Sequence, residues 1–131
     1  MILEWSPAML IGDEILDNQH KLIFELVNIV AGEENESDFR TNFLELFKGI
    51  SMHSHYEEEL MKEIKYPDYR QHIEDHFTLT NTLNLIRVQI DNNSLDLQYF
   101  REFVKTWVYG HIQGDDASLV AYLNDYRSLQ E

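Results

Sequence analysis

Six histidines and a surplus of carboxylates supply the chain's chemistry. His20 stands alone, His53 and His55 fall in HSHYEEE, His72 and His76 in HIEDH, and His111 in HIQGDD. On a helix, residues four apart lie one turn apart and about 40° around the axis, so both side chains reach one point. His72–His76 has that spacing, and so does His55–Glu59. His20, His76 and His111 each continue an apolar stripe of their own segment. Several imidazoles converging on one small core would cost several kcal/mol if buried without compensation. Coordination of a metal supplies that compensation. Five imidazoles and two carboxylates, with no sulfur, suit iron, manganese, copper or zinc. A carboxylate offers two oxygens, so two of them can bridge a pair of cations. Two six-coordinate ions so bridged, with one further bridging oxygen, retain about one open position for a small molecule.

The acidic partner of His111 is ambiguous by spacing. Asp116 is five residues on, about 140° away on a continuous α-helix, and Asp115 is its rival. Gly114 offers a way out if the helix ends there and the chain turns back toward the core. His53 lies about 200° around the axis from His55, so with His55 inside it reads as a surface residue. Glu57 and Glu58 then read as solvated charges flanking Glu59.

The elements that must carry these groups are helical. Residues 1–12 contain Pro7 and Gly12 and read as an extended arm. Leu16, His20, Ile23, Val27 and Val30 recur at spacings of three and four, which predicts a first helix from about residue 13 to Gly32. Ser37 or Asp38 is expected to cap a second, carrying Phe39, Phe43, Leu44, Phe47 and Ile50 and then the His55 group. It ends before Pro67, because the residue preceding a proline resists helical geometry. Asp68 is placed to cap a third, with His72, His76, Leu79, Leu83, Ile86 and Ile90. The run DNNS at 91–94 breaks it. A fourth begins near Leu95 with Phe100, Val104, Trp107 and His111 on one face. A short C-terminal helix fits Ala117–Arg127, with Leu119, Leu123 and Tyr126. No segment alternates as a strand does. The expected fold is all-α: an up-down-up-down four-helix bundle with an N-terminal extended arm and a short C-terminal helix, one domain over residues 1–131.

Bulk properties narrow the function. The 24 acidic against 10 basic residues give a net charge of −14, which repels nucleic acid and anionic membrane. The absence of cysteine excludes disulfides, zinc–thiolate sites, iron–sulfur clusters and thiol nucleophiles. No apolar run reaches the roughly 20 residues a membrane span needs. The N-terminus has no basic region and carries Glu4, so the expected compartment is the cytoplasm.

Together these segments resemble the hemerythrin family, and in particular its single-domain bacterial members. The matching residues are QHK around His20, HYEEELM with His55 and Glu59, YPDYRQHIEDH with His72 and His76, and WVYGHIQGDD with Trp107, His111 and Asp116, along with Trp5 in the arm. The resemblance spans essentially the whole chain, in order. It implies two iron ions, bridged by an oxo or hydroxo oxygen, that bind O2 reversibly. His72, His76 and His111 would hold one iron, His20 and His55 the other, and Glu59 and Asp116 would bridge, the HIxxxD spacing selecting Asp116. O2 would bind at the iron held by His20 and His55, in a pocket lined by Ile23, Trp107, Val108 and Ile112. The residue after the His55 ligand would be Tyr56, where the family more often has Phe. The implied roles are O2 transport, storage or scavenging, with delivery to an O2-consuming enzyme. The alternative is an O2 or redox sensor acting on a signalling partner or a fused output domain. An enzyme is not expected: neither the Glu-x-x-His of di-iron oxidases nor the HExxH of zinc hydrolases occurs. On this reading His53→Ala leaves the metal centre intact.

Overall fold

The computed structural model describes residues 2–130. Asp13 opens α1 (Glu14–Ala31) by accepting a hydrogen bond from the Leu16 amide at 3.0 Å. Helix α2 (Glu36–Glu63) is capped by Asn35, whose side chain accepts from the amides of Ser37 and Asp38. The cap therefore precedes the expected Ser37 or Asp38, and those residues already lie in the first turn. Asp68 does stand at the start of α3 (Tyr69–Asp91), but its side chain makes no capping bond. Asp96 caps α4 (Leu97–Gly110) through the amides of Gln98 and Tyr99. Residues His111–Asp116 form a π-helical turn, and α5 (Ala117–Gln130) follows directly. The backbone stays in the right-handed helical region on both sides of that turn. Helices α4 and α5 are thus one rod, and the exposed Gly114 lies inside it rather than ending it.

Short connections at residues 32–35, 64–68 and 92–96 fold the helices into the up-down-up-down bundle. Among the described residues there is no strand, and no helix is long and apolar enough to cross a membrane.

Two apolar cores of unequal size result. The larger unites Ile23, Val27 and Val30 of α1, Phe39, Phe43, Leu46 and Ile50 of α2, Leu79, Leu83 and Ile86 of α3, and Phe100, Val104 and Val108 of α4. Phe100 meets Phe39 and Phe43 edge-on, at centroid separations of 5.5 and 6.2 Å. The smaller comprises Met61, Ile64, Tyr66, Leu119 and Leu123. Buried polar residues fall between them in sequence on α2 and along the α4–α5 rod, and precede the larger core's residues on α1 and α3. Leu44, named above with Phe43 and Phe47 on the second helix, is exposed.

The arm is not simply extended. It contains a 3₁₀ turn at Pro7–Met9 and inserts Leu3 fully into the larger core. Asn28 of α1 holds it by two bonds, accepting from the Leu3 amide at 3.0 Å and donating to the Leu3 carbonyl at 2.9 Å. Trp5 packs edge-on against Phe24. Gly12 takes φ of +100°, a conformation open to glycine, and its amide and that of Ile11 both donate to the buried Asp17 carboxylate. Asn28→Ala should cost about 1–3 kcal/mol by stripping two backbone groups of their partner. Hydrogen exchange at the Leu3 amide and urea denaturation check this; unchanged exchange at Leu3 would show that Leu3 packing alone holds the arm.

Candidate metal centre

Helix α2 decides which of its two histidines enters the bundle. Its core face runs Phe39, Phe43, Leu46, Ile50, and the same three- and four-residue steps continue through His53, Glu57, Met61 and Ile64. His53 and Glu57 are accordingly 1% and 0% exposed. His55 and Glu59, expected as ligands, lie on the outer face. Glu59 is 58% exposed and, among the described residues, pairs only with Lys62, at 3.4 Å. This reverses the sequence assignment. Both pairs have the i, i+4 spacing, so spacing could not choose; the phase of the helix relative to Phe43 and Ile50 does. His53, read as a surface residue, and Glu57, read as a solvated charge, are the members of this pair that the fold brings inside. The residue following the inner histidine is then Ser54, which is buried, rather than the half-buried Tyr56.

The other sequence candidates do converge. His20 of α1, His72 and His76 of α3, and His111 and Asp116 of the π turn are all buried. The π turn explains Asp116 without a break in the helix. Its amide-to-carbonyl bonds span five residues, as in Ala117 N–H to Ile112 O. Residues five apart are therefore stacked one turn apart. His111 and Asp116 both point inward, while Asp115 is left half-buried at the rim, 3.7 Å from His111 Nδ1.

The two inner carboxylates share the imidazoles, and His53, His72 and His111 each approach both. Asp116 Oδ2 lies 2.6 Å from His20 Nε2 and 3.2 Å from His53 Nε2. Its other oxygen, Oδ1, lies 2.9 Å from His111 Nε2 and 3.3 Å from His72 Nε2. Glu57 Oε1 is 3.2 Å from His53 Nε2, 3.3 Å from His72 Nε2 and 3.1 Å from His76 Nε2. Several of these approaches are close without hydrogen-bond alignment: His111 Nε2, Asp116 Oδ1 and Glu57 Oε2 are buried with no hydrogen-bond partner among the described residues. Buried polar atoms are rarely left so. Donors that face one another across short gaps without bonding are disposed as ligands around ions. Two groups of mutually close donors can each surround a cation: Glu57, His72, His76 and His111, and His53, Glu57, His111 and Asp116.

Trp107 lies face-to-face on His111, at 4.9 Å and 17°. It lines a groove of about 290 Å³ together with Thr78, Leu79, Thr82 and Phe103. Ile23, Val108 and Ile112 are buried in the larger core.

The electrostatics of the cluster follow from burying opposite charges together. Burial alone would push the pKa of His53 down, but the charge of Glu57 and hydrogen bonds to Asp116 and Glu57 reverse this and hold it at about 9. His72 is likewise carried to about 9, against burial, by the neighbouring carboxylates of Asp116 and Glu57. His111 is raised as well, burial again being overcome by Asp116. Burial and mutual repulsion push Glu57 up, yet His53 and His111 bring it well below the usual carboxylate range. Asp116, against its own burial, is lowered by His111, His20 and His53.

The signs give a pH window for the metal-free protein. Raised imidazole pKa values stabilise it fully below the ordinary 6.5, and this is lost as pH rises through about 9. Lowered carboxylate values stabilise it above the ordinary 4.5 and are lost as pH falls. The cluster therefore contributes most between about pH 4.5 and 6.5. At pH 7 His53 and His72 carry protons that a metal ligand cannot keep. Loading metal at pH 7 should release roughly one proton from each. Calorimetry in two buffers of different ionisation enthalpy measures this; no buffer dependence would mean that the empty cluster holds neutral rings.

Comparison with known proteins agrees with this geometry. The family model described as Hemerythrin HHE cation binding domain matches residues 11–123. The chain is 27% identical over 122 residues to a bacteriohemerythrin of Pseudomonas paraeruginosa, covering 90% of this chain and 79% of the relative. It is 26% identical over 112 residues to a myohemerythrin of Sipunculus nudus, covering 86% of each. Among solved structures, a wild-type hemerythrin superposes with a TM-score of 0.82 at 25% identity, covering 89% of this chain and 94% of that one. With a buried His–Glu–Asp cluster suited to metal ions at its centre, the chain belongs to the hemerythrin family of di-iron, O2-binding proteins.

Proposed function

We propose that the protein binds O2 reversibly at two iron ions, for transport, storage or scavenging of O2. His20 and His53 hold one ion, His72, His76 and His111 the other, and Asp116 and Glu57 bridge them. The observation that carries this is the division of Asp116. One oxygen faces His20 and His53, and the other faces His72 and His111. A carboxylate that serves only as a hydrogen-bond acceptor has no need to present its two oxygens to two separate sets of imidazole nitrogens.

When bound, the iron pair supplies the electrons and the coordination position that O2 requires. The chain supplies the rest. Only two imidazoles serve the first ion and three serve the second, so the open position lies on the His20–His53 side. Ile23, Val108 and Ile112 give that region an apolar wall that keeps out water and protons, and so slows loss of the bound gas as a reduced species. Trp107 stands elsewhere: it stacks on His111, on the three-histidine side. Its part is to fix that ring and shield it. Neutral imidazoles outnumber the carboxylates, and fewer anionic ligands stabilise high-valent iron less, which favours reversible binding over oxygen activation.

Reduced, iron-loaded protein should be colourless under argon, turn pink or violet in air, and revert under argon. Irreversible bleaching on first exposure to air, or one zinc per chain from metal analysis, would overturn the reading. Iron content separates the two histidines of α2. His53→Ala and Glu57→Gln should each lose at least one iron per chain, whereas His55→Ala and Glu59→Gln should retain two. The opposite pattern would restore the outer pair as ligands.

A further inference from the structure

We propose that Gln19 is the positioning residue for the ion held by His20 and His53, and that it controls that ion alone. The proposal rests on the two-metal reading above. Gln19 is half-buried on α1, one residue before His20, and its Oε1 lies 2.7 Å from Nδ1 of His53 across the α1–α2 interface. The other nitrogen of that ring, Nε2, faces both carboxylates, at 3.2 Å from Asp116 Oδ2 and 3.2 Å from Glu57 Oε1. A ring that ligates through Nε2 carries its proton on Nδ1, so Nδ1–H donates and the amide oxygen of Gln19 accepts. That bond fixes both the tautomer and the rotation of the ring about its Cβ–Cγ axis.

His53 is singled out by its surroundings. Its partner on the same ion, His20, has Nδ1 buried with no hydrogen-bond partner among the described residues. The same is true of His76 on the other side. His111 is steadied by the stack with Trp107 and by the nearby Asp115. On the two-histidine ion, then, Gln19 is the side chain seen to anchor a ligand ring. It is also neutral. A carboxylate in its place would add negative charge to the ring; an amide orients the ring while leaving its charge alone.

Stepwise titration of metal-free protein with Co(II), in competition with a chromophoric chelator, tests this. The unaltered chain should take up two ions. In Gln19→Leu one ion should bind about 10–100-fold more weakly while the other is unchanged. Gln19→Glu, which keeps an acceptor for Nδ1–H, should restore the weakened ion. Thermal unfolding of the metal-free variants supplies the structural control. Unchanged affinity for both ions in Gln19→Leu overturns the proposal. So does equal weakening of both together with a lower melting temperature, since that is the signature of helix packing. If the unaltered chain takes up fewer than two ions, the two-metal reading fails and the role of Gln19 fails with it, a result distinct from two normal ions in both chains.

Discussion

The structure depends on a layer of buried charge. Five imidazoles and two carboxylates are withdrawn from water at the level where the four helices face one another. Removing ionised groups from solvent costs several kcal/mol per ion even after relaxation, and their mutual attraction repays it only with good geometry. The pKa shifts of His53, His72 and Asp116 record that balance. Without metal, His53 and His72 hold protons in its place. Each shift is a preference for positive charge among the carboxylates, and dications meet that preference more fully than protons do.

The rest of the chain keeps this layer in register. Every helix must present its buried polar group at the same height, and each does so by extending an apolar stripe already committed to a core. His20 precedes Ile23 and Val27, His76 precedes Leu79 and Leu83, and His53 follows Leu46 and Ile50. The last helix needs two inward groups, His111 and Asp116, a distance apart that an α-helix does not accommodate. The π turn absorbs one extra residue locally, and α5 resumes with Leu119 and Leu123 facing inward. Such turns are rare within helices and are found often at functional sites.

Most of the fold is legible in the sequence because its signals are periodic and long. Three- and four-residue recurrence locates all four helices, and Pro67, DNNS and Gly32 mark their ends close to where they fall. The centre was less legible, for two physical reasons. HSHYEEE contains two overlapping His-x-x-x-Glu pairs, and i, i+4 geometry is blind to which one faces inward. Phasing them against Phe43, Leu46 and Ile50 would have chosen His53 and Glu57, since Ile50 to Glu57 is two full turns and Ile50 to His55 is not. HIQGDD invites a helix stop at Gly114, because glycine commonly ends helices. Nothing in the local sequence distinguishes a stop from a π turn; the distinction rests on α5 needing to continue the rod so that Leu119 and Leu123 can close the smaller core.

The inequality of the two cores bears on how ions come and go. Seven buried side chains, His20, His53, Glu57, His72, His76, His111 and Asp116, admit no ion through a rigid structure, so exchange requires part of the bundle to open. The free energy of a local opening rises with the apolar surface it exposes. One side of the polar layer is sealed by more than a dozen buried apolar residues, reinforced by the arm through Leu3. The other is closed by five buried residues, Met61, Ile64, Tyr66, Leu119 and Leu123, with partly buried side chains such as Ile73 and Tyr122 around them. Separation of α5 from the end of α2 would thus expose less apolar surface than opening the larger core, while uncovering Asp116. The thin end is where opening exposes the least apolar surface, so loading or losing metal need not unfold the whole.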